Sequence, residues 1–274
     1  MKILVTGKNG FLARELQSLF KDSDHSTTFA GRQDLDLLDQ GAVDSFLSDN
    51  TFDAVLHTSI LGGRRIKKDS SKDYYDNMLM SLNLMKHIDK FKMFINFDSG
   101  ASFDRSIGID NCKEVELLRS VPTDYYGISK VTTSLIGRSF SNFINLRIFN
   151  CFGIEETEER FIKRNINRYI NKDPIEIFEE KAMDFFYVKD LFKVLLYLLD
   201  TPTDYKDINL CYDKKYSMSD ISTIINNLSD YKVPVRIGNS AYNYTGDATR
   251  LSSLGIQFNG LESGIKDMYT CLKN

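Results

Sequence analysis

The chain has 274 residues, of which 42% are hydrophobic and 27% charged, and its formal net charge is −3. This composition is typical of an ordinary globular protein that is long enough to bury its own core. No basic tract stands out, so we do not expect a nucleic-acid partner. No apolar run is long enough to span a bilayer, so we do not expect a membrane partner either.

The cysteines and histidines indicate the compartment and argue against a metal site. The four cysteines are widely spaced and include no CxxC pair, which favours reduced thiols and a cytoplasmic location. They are Cys112, Cys151, Cys211 and Cys271. The three histidines, His25, His57 and His87, lack the spacing of metal ligands, so no metal is expected.

Strand-like and helix-like patterns alternate through the first 150 residues. The predicted strands are 3–5, 27–30, 53–57, 93–97 and 144–149. The predicted helices between them are 12–20, 43–47, 74–88 and 126–140. Strands that alternate with helices form parallel βαβ units with right-handed crossovers. The sequence therefore predicts an α/β protein with a Rossmann-type, doubly wound parallel sheet.

The alternation becomes less regular after about residue 150. Short strands are predicted at 175–178 and 233–237, and helices at 190–199 and 218–228. We therefore expect two parts. A dinucleotide-binding domain covers 1–150, with 183–200 returning to it. A smaller lobe, 151–274, covers the carboxyl ends of the strands and binds substrate.

A glycine-rich loop lies between the first predicted strand and the first helix. Gly7 permits a tight turn, Gly10 allows the backbone to approach a pyrophosphate, and Ala13 is small enough for close helix–strand packing. A turn without a ligand is the alternative, but the position directly after a strand favours a dinucleotide site. The predicted cofactor contacts in this loop are Thr6, Gly7, Asn9, Gly10, Phe11 and Leu12.

The end of the second predicted strand bears on the choice between NAD and NADP. NAD-preferring enzymes usually place an acid there, but here the strand runs into Gly31 and Arg32. A guanidinium suits a 2′-phosphate because it is planar and cationic. NADP(H) is therefore favoured and NAD(H) remains possible. An ordinary surface arginine is the alternative reading of Arg32, and Asp34 weighs against NADP.

Three residues form a candidate catalytic set. Tyr126 and Lys130 are four residues apart, so they share one helix face. A nearby ammonium is expected to bring the pKa of the Tyr126 phenol towards neutrality, so that it can exchange a proton with a carbonyl oxygen. Ser99 leaves the end of a predicted strand and can hydrogen-bond the same oxygen. Each residue alone could be structural, but their order behind the phosphate loop indicates a catalytic site.

This order of motifs resembles the extended short-chain dehydrogenase/reductase family, which modifies nucleotide sugars. Residues 6–13 are similar to its TGxxGxxG/A loop, and Ser99, Tyr126 and Lys130 match its catalytic triad. Residues 146–153, 184–190 and 247–255 are similar to its LRxxNxYG, DFxxVxD and C-terminal segments. The resemblance implies that Arg147 and Asn150 contact the sugar nucleotide. It also implies that Lys130 holds the nicotinamide ribose and that the C-terminal lobe binds the nucleoside diphosphate.

Within the family, residues 32–39, 62–66 and 75–78 are most similar to the GDP-L-fucose synthases and related 4-keto-sugar reductases. Those synthases epimerise the sugar with a cysteine two residues after the serine and with a histidine. Here Ala101 replaces the cysteine, and no histidine follows His87. The resemblance thus implies reduction without 3,5-epimerisation. Gly100 and Ala101 also lack the Asp-Glu pair of the 4,6-dehydratases, which disfavours dehydration.

Three hypotheses follow. The first is NADPH-dependent reduction of a nucleoside-diphosphate 4-keto-6-deoxy sugar, with Tyr126 as proton donor. The second is a nucleotide-sugar 4-epimerase that keeps NAD tightly bound. The third is a non-catalytic dinucleotide-binding protein on the same fold. The family resemblance also implies a homodimer that associates through the helices predicted at 74–88 and 126–140.

Overall fold

The computed structural model describes residues 1–63 and 68–273. Its strands are β1 (Lys2–Thr6), β2 (Ser26–Ala30), β3 (Ala54–His57), β4 (Met93–Ser99), β5 (Ile109–Cys112), β6 (Phe143–Ile148), β7 (Cys151–Phe152), β8 (Ile175–Glu180), β9 (Phe186–Tyr187), β10 (Asp207–Leu210), β11 (Val235–Ser240) and β12 (Tyr244–Gly246). Its helices are α1 (Phe11–Leu19), α2 (Gln40–Asp49), α3 (Ser71–Met85), α4 (Tyr125–Gly137), α5 (Phe161–Ile170), α6 (Val188–Asp200), α7 (Met218–Asn226), α8 (Thr249–Ser253) and α9 (Leu261–Lys273).

Six strands form one parallel sheet in the order β10-β6-β4-β3-β1-β2. The chain starts at β1, adds β2 on one side and then adds β3, β4, β6 and β10 on the other. This reversal beside β1 is the switch point at which doubly wound sheets bind ligands. The predicted α/β fold with a Rossmann-type sheet is confirmed.

Helices cover both faces of the sheet, which explains why its strands are nearly continuous apolar runs. Successive side chains of a strand point to opposite faces. In β1, Ile3 and Val5 accordingly pack into one core cluster and Leu4 into another. The first cluster includes Leu16 of α1, and the second includes Leu84 of α3. The carboxyl ends of the strands stay free to carry a site.

The C-terminal half contributes to the sheet and also builds smaller ones. Helix α6 packs against α1. Strand β10 pairs with β6 and extends the main sheet, although the sequence interpretation had no strand there. Two-stranded parallel sheets, β8 with β11 and β5 with β12, lie beyond it. Helices α5 and α9 were also not predicted.

The missed elements have weak sequence signals for a physical reason. Strand β10 has only four residues, and its polar Asp207 and Asn209 are buried in a hydrogen-bonded network, so it lacks an apolar run. Helix α5 is rich in charged and amide side chains, but its apolar stripe of Ile162, Ile166 and Tyr169 is fully buried. Over the described ranges, no helix is both long and apolar enough to cross a membrane.

Candidate active site

Strand β4 brings Ser99 to the carboxyl edge of the sheet. The backbone N–H of Ala101 donates a 3.1 Å hydrogen bond to Ser99 Oγ and so starts a 3₁₀ turn over Gly100–Ser102. Because Oγ accepts this bond, the hydroxyl proton of Ser99 is available to an acceptor in the cleft in front of the strand. The turn fixes the side chain as a donor at the strand end.

Helix α4 carries Tyr126 and Lys130 on one face, one turn apart. Asp124 caps this helix, since its Oδ1 accepts a 2.8 Å hydrogen bond from the Gly127 N–H. The helix start lies directly on the serine turn, because a Cβ on Gly127 would be 2.5 Å from the carbonyl oxygen of Ala101. A glycine at 127 thus sets the distance between the tyrosine and the strand end.

Ser99 and Tyr126 line the same cleft. Burial raises the pKa of the Tyr126 phenol above its usual value, and the Ser99 hydroxyl and the charge of Arg105 offset part of this rise. The sequence interpretation expected the phenol pKa to move towards neutrality, but desolvation has the larger effect. Tyr126 therefore keeps its proton at neutral pH, which suits a proton donor.

Lys130 is held by the strand rather than by the tyrosine hydroxyl. Its Nζ donates a 2.6 Å hydrogen bond to the carbonyl oxygen of Phe97 and lies 5.8 Å from the centre of the Tyr126 ring. Burial lowers the pKa of the Lys130 ammonium to about 8. The hydrogen bond to Phe97 on β4 thus fixes the ammonium at the cleft, beside the phenol of Tyr126.

The phosphate loop has an open helix N-terminus. Gly7 has a φ of 74°, and a Cβ there would be 3.0 Å from the backbone nitrogen of Ser59. Gly10 is the N-cap of α1 and no side chain caps the helix, so N–H groups of its first turn can bind a pyrophosphate. The residues present therefore fit a dinucleotide. Phe11 and Leu12 line the adjoining cleft.

Two of the predicted cofactor residues make contacts within the protein. The hydroxyl of Thr6 is buried, lies 3.0 Å from His57 Nδ1 and accepts a hydrogen bond from the Ser59 N–H. It joins the ends of β1 and β3. Asn9 is exposed, and its backbone carbonyl accepts a 2.8 Å hydrogen bond from Arg14.

Two cations flank the end of β2. Arg32 is the predicted one; its side chain is 75% exposed and its Nε lies 3.2 Å from Asp36 Oδ2. Lys8, which the sequence interpretation did not include, lies 3.6 Å from Asp34 Oδ2. The Gly31 N–H donates to Asp34 and, together with Lys8, holds the pKa of that carboxyl below its usual range. Asp34 is thus engaged by Gly31 and Lys8, and Arg32, although its Nε is paired with Asp36, keeps most of its side chain exposed.

A cleft of about 600 Å³ runs from the start of α1 past the catalytic set to the C-terminal half. Ser99, Tyr126, Lys130 and Asn150 all line it. Asn150 also donates a 3.1 Å hydrogen bond to the carbonyl oxygen of Asp184. Further lining residues that the sequence did not indicate are Arg105, Arg160, Lys181, Tyr242 and Tyr244. They come from separate segments with no shared motif, so only the fold brings them together.

The position of Arg147 corrects the expected substrate contact. Its side chain is fully buried beneath the cleft, where its guanidinium bonds to Asp98, Asp207 and Asn209. The charge of Arg147 is paired and its side chain has no exposed surface. Arg147 therefore links β6 to β4 and β10 and does not contact a ligand. The polar residues of β10 that were missed in the sequence are the partners of this arginine.

Gly63, in the connection between β3 and α3, lies against Tyr126. The backbone of Gly63 lies against the Tyr126 ring, so that a Cβ there would be 2.7 Å from Cε2. Of the stretch 62–66 that carries part of the family resemblance, Gly62 and Gly63 lie within the described residues and 64–66 lie outside them.

Comparison with known proteins identifies the family. Residues 3–211 match the model of the NAD dependent epimerase/dehydratase family. A curated relative, GDP-6-deoxy-D-talose 4-dehydrogenase of Aggregatibacter actinomycetemcomitans, is 23% identical over 248 residues, which is 86% of this chain and 83% of the relative.

Two solved structures show the same fold. A GDP-mannoheptose C4 reductase from Campylobacter jejuni with NADP bound superposes with a TM-score of 0.86 and 19% identity, covering 100% of this chain and 98% of that one. A GDP-L-fucose synthetase from Naegleria fowleri gives a TM-score of 0.85 and 19% identity, covering 98% and 92%. The family match therefore spans the phosphate loop, the serine turn and the tyrosine helix, and the chain belongs to the NAD dependent epimerase/dehydratase family.

Proposed function

We propose that the protein reduces the keto group of a nucleoside-diphosphate 4-keto-6-deoxy sugar with NADPH. The observation that carries the proposal is the placement of Ser99, Tyr126 and Lys130 in one cleft at the carboxyl edge of the sheet, beside an uncapped helix N-terminus. The similarity to enzymes named for GDP-sugars supports a nucleotide sugar as substrate and GDP as the first nucleotide to test.

The cofactor would lie along the loop between β1 and α1. The first turn of α1 would hold the pyrophosphate, and Arg32 would bind the 2′-phosphate through charge-assisted hydrogen bonds. Lys8 would add a second positive charge near the same strand end. The ammonium of Lys130 would hold the nicotinamide ribose. When bound, reduced nicotinamide supplies a hydride to the keto carbon.

The side chains of this chain provide the proton and the oxyanion contacts. Ser99 donates a hydrogen bond to the keto oxygen and orients it, since the Ala101 N–H fixes the serine hydroxyl. Tyr126 transfers its phenolic proton to the same oxygen as negative charge develops there. The Lys130 ammonium stabilises the phenolate that remains, because opposite charges attract strongly in a partly desolvated cleft.

We propose reduction without 3,5-epimerisation. A residue that removes a proton from a sugar carbon needs a basic group near the serine, and Ala101 offers only a buried methyl group. The sequence has no histidine after His87, and His57 is buried, where desolvation lowers its pKa to about 3. Neither Gly100 nor Ala101 carries an acid for dehydration.

The test is oxidation of NADPH, followed by absorbance, with a panel of nucleotide 4-keto-6-deoxy sugars that begins with GDP. We expect turnover of at least one sugar and a single product stereoisomer. Tyr126→Phe should lower kcat by about 10²- to 10⁴-fold with an unchanged Kd for NADPH. The matched control is Tyr125→Phe, which changes the neighbouring, 43% exposed phenol and should keep wild-type kcat.

Two results would contradict the proposal. NAD that stays bound through purification, with interconversion of 4-epimers and no net NADPH oxidation, would identify a 4-epimerase. Normal NADPH affinity without turnover of any nucleotide sugar would identify a non-catalytic dinucleotide-binding protein. In both cases Tyr126→Phe would leave the rate of NADPH oxidation unaffected.

A further inference from the structure

Tyr244, at the start of β12, is a cleft residue with a tightly fixed backbone. Its N–H donates a 2.9 Å hydrogen bond to the Ala182 carbonyl, and its own carbonyl accepts a 3.1 Å bond from the Asp184 N–H. On the other side β12 pairs in parallel with β5, with Tyr244 opposite Ile109. The backbone that carries the Tyr244 side chain is therefore held on two sides.

The phenol of Tyr244 reaches the serine turn. Its hydroxyl lies near enough to Ser99 for the serine hydroxyl to lower its pKa, and its ring packs edge-on against Phe149 with the ring centres 5.3 Å apart. The absence of a side chain at Gly100 makes this approach possible, because a Cβ there would be 2.7 Å from the Tyr244 hydroxyl oxygen. Gly100 stands where a dehydratase would carry an acid. The absence of a side chain there leaves space for the Tyr244 phenol.

Ser99 thus shares one cleft with two phenols, Tyr126 and Tyr244. A keto oxygen held by Ser99 and Tyr126 would therefore lie near the Tyr244 hydroxyl, which approaches Gly100, the residue that follows Ser99. We propose that Tyr244 is a further catalytic residue, which donates a third hydrogen bond to the keto oxygen of the sugar as it is reduced. This inference rests on the proposed function and adds a residue from the C-terminal half to its site.

The two phenols have different parts in this scheme. Bound reduced nicotinamide would supply the hydride for the new C–H bond and would itself be oxidised, while the O–H bond of Tyr126 would break to protonate the sugar oxygen. Tyr244 keeps its proton throughout and contributes only a hydrogen bond. Burial raises the pKa of Tyr244 well above its usual value, so it remains a neutral donor, while the charge of Arg105 acts on both phenols.

The test compares Tyr244→Phe with Tyr205→Phe. The control is closely matched, since the Tyr205 hydroxyl is likewise near a serine hydroxyl, that of Ser253 at 3.1 Å, but on the exposed surface. Loss of one preorganised oxyanion donor typically lowers kcat by about 10²-fold. We expect that loss for Tyr244→Phe, with kcat and kcat/KM lowered equally, and wild-type kinetics for Tyr205→Phe.

A second measurement separates chemistry from folding, since Phe keeps the ring that packs on Phe149. We expect the NADPH Kd and the Tm of Tyr244→Phe to match those of the wild type. If Tyr244→Phe retains kcat within 3-fold while the wild type reduces the sugar, the inference is overturned and the proposed function stands. A lost NADPH affinity or a lowered Tm would assign Tyr244 to the fold instead. A wild type that reduces no nucleotide keto sugar overturns both.

Discussion

The Nε atom of Arg147 donates a 2.8 Å hydrogen bond to Oδ2 of Asp98, the residue immediately before Ser99, and both side chains are fully buried. The same guanidinium lies 3.2 Å from Asp207 Oδ1 on β10. Asp98 also accepts hydrogen bonds from Ser102 and Ser134. The network therefore links β4, β6, β10 and α4 directly beneath Ser99.

Removal of this arginine should be severely destabilising. In Arg147→Met the carboxylates of Asp98 and Asp207 would lose their shared partner, and breaking a buried pair in this way typically costs about 3–5 kcal/mol. Denaturant unfolding should show that loss in the free energy of unfolding. The control is Arg119→Met, which breaks an exposed pair with Glu116 and should change stability by less than about 1 kcal/mol. A loss of under 1 kcal/mol for Arg147→Met would contradict the expectation.

Gly127→Ala should reduce activity more than stability. The new methyl group would be 2.5 Å from the Ala101 carbonyl and 2.7 Å from Pro122 Cβ, so the start of α4 must move away from the serine turn. We expect kcat to fall at least about 10²-fold, because misplacement of a catalytic group by about 1 Å can have that effect. Gly41→Ala, in the first turn of α2, meets only the Asp39 side chain at 3.3 Å and should be neutral or stabilising. Wild-type kcat in Gly127→Ala would show that the close contact is not needed.

The pH dependence of stability should respond to Glu156→Gln. Burial raises the pKa of Glu156 to about 8 from its usual 4.5. Between these values the folded protein keeps a proton that the unfolded chain releases, so the free energy of unfolding falls as pH rises. Glutamine removes this contribution, and the variant should lose less stability than the wild type between pH 5 and pH 8.

Thermal unfolding at a series of pH values measures that difference. Glu158→Gln changes an exposed carboxyl two residues along the chain and should keep the wild-type profile. Parallel profiles for Glu156→Gln and the wild type would mean that Glu156 is ionised in the folded protein at neutral pH.

Cofactor preference should depend on Arg32. Hydrogen bonds to a charged group contribute about 1.5–3 kcal/mol, so Arg32→Ala should weaken NADPH binding by about 10- to 100-fold and leave NADH binding unchanged. Arg236→Ala, in the exposed strand β11, is the matched control and should alter neither. Equal effects on the two cofactors would argue against a 2′-phosphate contact at Arg32. Fluorescence titration gives both Kd values.

The proposed homodimer can be tested on α3. Tyr75 and Leu82 are seven residues apart on one face of that helix and are 63% and 42% exposed. Burial of this face against a second copy would explain their exposure. Sedimentation should show a dimer for the wild type and a monomer for the double variant Tyr75→Glu and Leu82→Glu. Leu118→Glu, at an exposed apolar position outside α3 and α4, should remain dimeric, and a monomeric wild type would refute the proposal.

The parts of this protein that could be predicted from its sequence are those with local signals. Apolar runs on a period of two or 3.6 gave the main strands and helices, and the phosphate loop follows its strand directly. Because Tyr126 and Lys130 are four residues apart, they share one face of any helix that contains both. All these features depend only on residues close together in the chain, so they can be predicted without knowledge of the fold.

The remaining features depend on contacts between distant segments. Tyr244 and Arg105 reach the cleft from segments outside the main sheet, and nothing in their local sequence indicates that they line it. Arg147 belongs to a motif that the family resemblance placed at the substrate. Its side chain is instead fully buried, where it pairs with Asp98 and Asp207. The pKa of Tyr126 was expected to fall because a neighbouring charge is visible in sequence, whereas the burial that raises it is not.

The position of β10 has a practical consequence for anyone who wishes to isolate the cofactor-binding unit. A fragment that stopped near residue 150 would expose the hydrogen-bonding edge of β6 and remove one of the two carboxylates that neutralise Arg147. Such a fragment should aggregate or stay unfolded. The shortest piece expected to fold by itself must continue at least to Leu210, so the gene cannot be divided simply at the point where the amino-acid pattern changes.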